Sequence, residues 1–175
     1  LYAPIDEKHP YQGQSPYSAS KIGADMLAES FYRSYDLPVV TIRPFNKYGP
    51  RQSARAVIPT IITQALTQEV VYLGNLDARR DLTYVSDTVA GFLTAAAIPG
   101  VEGQTYNLGT GTEVYIRDLA EEVFSLLGKR CVIKVDRERM RPEKSEVQRL
   151  LSDNSLARQS FCWEPKKPLR EGLKR

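Results

Sequence analysis

Two rhythms of apolar and polar positions alternate along this chain. "PVVTIRP" (38–44), "VVYLG" (70–74) and "CVIKV" (131–135) are short, β-branched, nearly continuous apolar runs, the pattern of strands covered on both faces of a parallel sheet. Between them the period lengthens to that of helices. Ser15 is a good N-cap and Pro16 a good first helical residue, which predicts a helix over 16–35 that stops before Asp36-Leu37-Pro38. A second helix is expected over 56–68. "RRDLTYVSD" (79–87) reads as a strand whose Ser86 or Asp87 caps an apolar helix running to Ile98. "QTYNLGTGT" (104–112) reads as a strand and a glycine turn, leading into an amphipathic helix over 116–127 that Gly128 can end. After a basic loop, a short helix capped at Asp153 or Asn154 ends near "CWEP". Strands alternating with helices predict an α/β fold with a largely parallel sheet. In such sheets ligands bind beyond the carboxyl ends of strands, which puts Asn46 and the Tyr48-Gly49-Pro50 turn in a binding loop. No linker marks a domain boundary, and 44–55 is the best hinge.

Composition narrows this only slightly. At 175 residues, 42% hydrophobic and 26% charged, the chain can bury a real core, and its longest apolar stretch, 89–98, is about half of what a bilayer needs. A net charge of +3 from 24 basic and 21 acidic residues does not point to nucleic acid. Cys131 and Cys162 form no Cys-x-x-Cys and there is one His, so no metal site is expected; the thiols are expected to be buried and inert, in a reduced, cytoplasmic compartment. The opening "LYAPIDEKHP" has no initiator Met and reads like the middle of a loop, so the chain is expected to be part of something longer.

Candidate chemistry begins with "SPYSASK" (15–21), which sets Tyr17 one helical turn before Lys21 among small side chains. A phenol held close to an ammonium ionises more readily and can take a proton from an alcohol, a step that implies matching hydride transfer. The same Lys could hold the ribose of a nicotinamide cofactor. Equally, the two could be a solvated surface pair. Arg79 and Arg80 beside Asp77 and Asp81, and Arg137, Arg139 and Arg141 among acids, read either as phosphate ligands or as solvated salt bridges. In "NLGTGT" Gly109 and Gly111 lack the third glycine of a dinucleotide fingerprint, because Val114 stands there, so a tight strand-to-helix turn is expected. Asp6 and Glu7 are read as loop acids.

Beyond these short motifs, "TIRPFNKYGPRQ", "LGNLDARRDLTYVSD", "YNLGTGTEVYIRDLAEEV", "RPEKSEVQRLLSDNSLA" and "CWEPKKPLREGL" follow "SPYSASK" in an order and spacing that resemble the NAD-dependent nucleotide-sugar epimerase/dehydratase family, the extended short-chain dehydrogenases/reductases. The likeness covers almost the whole chain and is strongest to 4,6-dehydratases. It implies the late part of a Rossmann-type parallel sheet plus a smaller α/β substrate-binding domain. Residues 1–55 would belong to the NAD-binding part and 56–175 mainly to the nucleotide-sugar part, with segments returning to the Rossmann sheet. Tyr17 matches the catalytic Tyr and Lys21 the Lys that tunes it and holds the cofactor ribose, both against NAD. Pro44 and Phe45 match the segment passing the nicotinamide. Asn46 matches a nucleotide-sugar contact, Leu73 to Asn75 border the nucleobase, and Arg80 and Arg141 match the diphosphate arginines. Tyr115 departs from a usual small hydroxyl residue, which puts the cap of the next helix in doubt, and Lys47 replaces Thr or Val and adds charge near the ligand.

The resemblance also implies what this sequence does not hold: the Gly-rich cofactor cradle, the Ser or Thr that orients the sugar, and the acid pair that removes water. The chain taken alone is therefore expected to be inactive, and the complete protein to be a homodimer pairing through the Tyr-bearing helix. A 4-epimerase needs the same Tyr and Lys without the acid pair, and a non-catalytic nucleotide-sugar-binding module needs neither; both stay open.

Overall fold

The computed structural model describes residues 2–140, 142 and 145–175. Helix α1, Pro16–Tyr35, begins with a capping box: the Ser15 hydroxyl accepts the Ser18 N–H at 3.1 Å, and the Ser18 hydroxyl accepts the Ser15 N–H at 2.9 Å. It ends where Asp36 enters the left-handed region (φ 52°) and donates its N–H to the Tyr32 carbonyl. Strand β1, Thr41–Pro44, follows, and then β2, Asn46–Tyr48, in a stretch where the sequence suggests only a loop. Helix α2, Val57–Thr67, and β3, Val70–Leu73, lie close to their expected positions.

Strand β4, Arg79–Tyr84, leads into α3, Val85–Ala97. Neither Ser86 nor Asp87 caps α3. Its N-cap is Tyr84, and Asp87 lies in the first turn, where its carboxylate accepts the backbone N–H groups of Lys166 and Lys167 at 2.9 and 2.8 Å. Strands β5, Thr105–Leu108, and β6, Glu113–Tyr115, precede α4, Ile116–Leu127, which stops at left-handed Gly128 (φ 63°). With Tyr115 as N-cap, α4 has no side-chain cap. The remainder is β7, Val132–Val135, a 3-10 turn at Arg137–Arg139, β8, Arg149–Leu150, and helices α5, Ser155–Phe161, and α6, Leu169–Leu173. Asn154 occupies the N-cap of α5 without a side-chain cap bond, its amide donating instead to the Gly109 carbonyl at 2.7 Å; Asp153 accepts the Ser155 N–H at 2.9 Å.

The pairing is mostly parallel, in line with the α/β expectation: β1 with β5, β3 with β7, and β4 with both β2 and β8. Only β6 runs antiparallel to β4 among the described ladders. Two apolar clusters hold these pieces. One packs α2 and α4 against the sheets through the fully buried Ile61, Val71 and Leu119. The other joins α3, β5 and α5 through Leu108, Phe161 and Trp163, with Ile42 of β1 and Val40 just before it packed against it. Gly91 sits where a Cβ would meet Leu108 and Trp163, so only glycine lets α3 lie this close.

The cysteines differ from expectation. Cys162 is exposed at the left-handed C-cap of α5 (φ 52°) while its neighbour Trp163 fills the core, and Cys131 is only half-buried at the start of β7. Among the described residues no helix is long and apolar enough to cross a membrane, and no group of three or more His, Cys, Asp or Glu is placed to hold a metal ion.

Candidate functional site

A cleft of about 460 Å³ opens where β2, β3, β4 and the start of α2 meet. Parallel pairing brings it about: Asn46 stands opposite Leu82 in the β2–β4 ladder, and Leu73 is the last residue of β3. Asn46, Leu73, Asn75 and Arg80, separated in sequence, all line this one space. Asn46 carries the plainest signal, because its Nδ2 is buried and has no hydrogen-bond partner within the structure. A buried donor left unpaired costs roughly 1–3 kcal/mol, which a ligand acceptor would recover. The Gln52 side chain donates to the Lys47 carbonyl at 2.8 Å and leaves its own Oε1 buried and unpaired in the same cleft.

Arg80 is held in place before any ligand arrives. Its Nη1 donates to the carbonyls of Arg79 (2.9 Å) and Val147 (2.7 Å), and its Nη2 donates to Glu146 at 3.2 Å. Arg79 instead pairs with Glu113 at 3.1 Å and stacks on Tyr115, outside the cleft lining. The strand alternation of β4 thus separates the two adjacent arginines and leaves Arg80, the one that the resemblance singles out, in the cleft. Asn75 spends its amide within the fold, accepting the Asp77 N–H and donating to Gln148, both at 3.1 Å. Arg141 lies outside the described residues. Arg139, which the sequence offers only as one of three arginines among acids, lines the cleft. Gly74 is the signal that could have found it: a Cβ there would lie 2.7 Å from the Arg139 carbonyl oxygen, so glycine admits the 136–139 turn.

Tyr17, Lys21, Pro44 and Phe45 are not brought into this cleft. Tyr17 and Lys21 share one exposed face of α1, with Tyr17 72% exposed and the Lys21 ammonium 5.8 Å from its ring centre. An Asp25–Arg43 ion pair at 2.8 Å ties that helix to β1, whose last residue is Pro44. Phe45 is buried and donates its N–H to the Leu108 carbonyl at 2.8 Å.

The remaining motifs are structural. The "NLGTGT" turn closes on buried Asp81, whose carboxylate accepts from the Thr110 N–H and hydroxyl, the Gly111 N–H and the Ser152 N–H. Glu7 accepts the Asn107 N–H at 2.7 Å and is pushed above the usual carboxylate range by its burial; Asp6 accepts from Tyr2 and the Lys8 N–H. Both acids therefore fasten a loop. Tyr48, on the floor of the cleft, donates to the Leu169 carbonyl at 3.1 Å, and burial raises its pKa.

The family described as GDP-mannose 4,6 dehydratase matches residues 2–175. The dTDP-D-glucose 4,6-dehydratase of Mus musculus is 32% identical over 177 residues, 98% of this chain and 49% of the relative. The UDP-glucose 4-epimerase of Mycolicibacterium smegmatis is 31% identical, over 97% of this chain and 54% of the relative. The solved dTDP-glucose 4,6-dehydratase of Bacillus anthracis, in complex with NAD, superposes with a TM-score of 0.88 at 31% identity, covering 97% of this chain and 53% of that one. The chain thus spans about half the length of the relatives it matches. Dehydratases and epimerases stand side by side among these relatives, and the chain belongs to the GDP-mannose 4,6 dehydratase family.

Proposed function

We propose that this chain supplies the catalytic helix and the nucleotide-sugar cleft of an NAD-dependent nucleotide-sugar 4,6-dehydratase. The observation that carries this reading is the convergence of Asn46, Leu73 and Arg80 on one cleft, with the Asn46 amide buried and unpaired in it. Asn46 would donate to the sugar or its linkage to phosphate. Arg80, its fork already oriented by two carbonyls, would pair with the diphosphate, joined by Arg141. The border of the nucleobase falls to Leu73 and the backbone leading to Asn75.

The residues present fit one side of a dinucleotide. Tyr17 and Lys21 are accessible on the same face, where exposed Ala24 leaves room for a ligand to approach, and Lys21 can donate to ribose hydroxyls. No Gly-x-Gly-x-x-Gly occurs in this sequence, so the pyrophosphate cradle is not among these residues. Bound NAD supplies a hydride acceptor that later returns the hydride. Tyr17 takes the proton from the hydroxyl at sugar carbon 4, whose carbonyl is kept in the 4-keto-6-deoxy product, while Lys21 orients the phenol and the ribose. Pro44 and Phe45, at the carboxyl end of β1, border the nicotinamide.

Residues 1–55 on this reading belong with the dinucleotide part and 56–175 mainly with the cleft. The β1–β5 ladder and the second apolar cluster, which join later segments to β1, support the return of those segments to the first part. The exposed apolar face of α1, with Leu27, Phe31 and Tyr35, supports a homodimer.

A 4-epimerase fits the same residues equally well, and the Mycolicibacterium relative favours keeping it as the second reading. Incubating the protein as its gene encodes it with NAD and UDP-, dTDP- or GDP-linked hexoses separates the two. A 4-keto-6-deoxy product supports the dehydratase and a carbon-4 epimer the epimerase. Calorimetry in which Arg80→Ala binds nucleotide-sugars as well as the unaltered protein would sink the cleft assignment.

A further inference from the structure

The Arg80–Glu146 ion pair lies inside the cleft, with both side chains largely out of solvent at 16% and 11% exposure. Resting on the proposed diphosphate role of Arg80, we infer that Glu146 is a built-in counter-ion which the diphosphate displaces, and that it sets how tightly the cleft holds a nucleotide.

The argument starts from desolvation. A guanidinium this buried is costly without a compensating anion, so a cleft that keeps Arg80 ready needs a stand-in for the ligand. Glu146 supplies one at 3.2 Å on Nη2, while the Arg79 and Val147 carbonyls hold Nη1. A diphosphate within hydrogen-bonding reach of Arg80 comes within a few ångströms of the Glu146 carboxylate, and like charges at that separation in a confined site repel. The backbone of this segment is fixed by the β4–β8 ladder and by the Arg79 N–H to Gln148 carbonyl bond at 2.8 Å. Exchange therefore falls to the Glu146 side chain: it releases Nη2 while the Val147 carbonyl keeps its hold on Nη1. One anion replaces another on an arginine that stays oriented. Part of the binding energy goes into displacing Glu146, so nucleotides are held less tightly than they would be without that carboxylate. This eases turnover from one nucleotide-sugar to the next.

The test is calorimetric titration of the protein, Glu146→Gln and Arg80→Ala with inorganic pyrophosphate, UDP, dTDP and GDP, using the neutral nucleosides as controls. The expected result is that Glu146→Gln binds pyrophosphate and the preferred nucleotide about tenfold tighter, the scale of one nearby like charge removed. Nucleoside binding stays unchanged, and Arg80→Ala loses most nucleotide affinity. If Glu146→Gln does not fold, Glu146→Asp, which keeps the charge but draws it back by one methylene, is expected to bind tighter than the unaltered protein by a smaller factor. Equal or weaker binding by a folded Glu146 variant overturns the inference while an Arg80-dependent affinity leaves the nucleotide-sugar reading standing. No nucleotide binding by the unaltered protein or by Glu146→Gln overturns both.

Discussion

Helix α1 and the cleft are built by opposite means. All 20 residues of α1 are at least partly exposed, and what starts and stops it is local: the Ser15–Ser18 box, Pro16 and left-handed Asp36. The cleft is assembled from β2, the end of β3, β4, Arg139 and Glu146, over fully buried Ile61, Val71 and Leu119. A short-range pair such as Tyr17 and Lys21 needs only a helix to meet. A cleft like the one around Arg80 needs several strands to pair before it exists. The difference separates two kinds of fragility: chemistry on α1 should be lost without loss of fold, whereas the cleft should fail with its core.

The sharpest way to break that contrast is Tyr17→Phe. With Tyr17 72% exposed, the variant should keep the circular dichroism spectrum and melting temperature while turnover with NAD and nucleotide-sugar falls about 10²–10⁴-fold. Undiminished turnover would remove the proton-transfer role. Next in size is Ile61→Ala, under the cleft, expected to cost about 2–5 kcal/mol in urea unfolding and to weaken nucleotide binding with it. Smaller is Gly172→Ala: a Cβ there would press on the Tyr48 hydroxyl and the Tyr84 ring, and the melt should fall by about 1–3 kcal/mol.

Smaller still is the acid response of the triad joining β4, β6 and β8. The Arg149 guanidinium, and after it Arg79, holds Glu113 below the usual carboxylate range. Because its folded value lies under the unfolded one, this pair contributes fully above the ordinary Glu range and the contribution is lost as pH falls through the folded value. Arg149→Gln should therefore lower stability at neutral pH and flatten that acid decline; an unchanged profile would leave the triad no energetic role. At the bottom of the scale, Leu27→Ser on the 61% exposed position of α1 should change chain stability by less than about 0.5 kcal/mol and reduce self-association in sedimentation. A large loss of stability there would mean that α1 is packed after all.

What was legible follows the same division. The bounds of α1, the end of α4 at Gly128 and the strands at 70–74 and 131–135 could be read because capping residues and β-branched runs act over a few positions. Strands β2, β6 and β8 have 3, 3 and 2 residues, too short for any period to register, and each exists because β4 offers it a partner. Asp87 looked like a helix cap, but two N–H groups 79 and 80 residues away claim its carboxylate. Cys162 looked buried by its neighbour Trp163, yet a left-handed turn between them sends one outward and the other inward.

By itself the sequence determined the α/β class, the limits of helix α1, and the placing of Tyr17 and Lys21 on one face of it, since those depend on steric and hydrogen-bonding preferences within a turn or two of chain. Only the tertiary structure decided that Arg139 joins Arg80 in the cleft, that Asn46 is left with an unpaired donor, and that Glu146 already occupies the arginine. Those outcomes depend on strand register and on burial, which arise only when segments distant in sequence exclude water together.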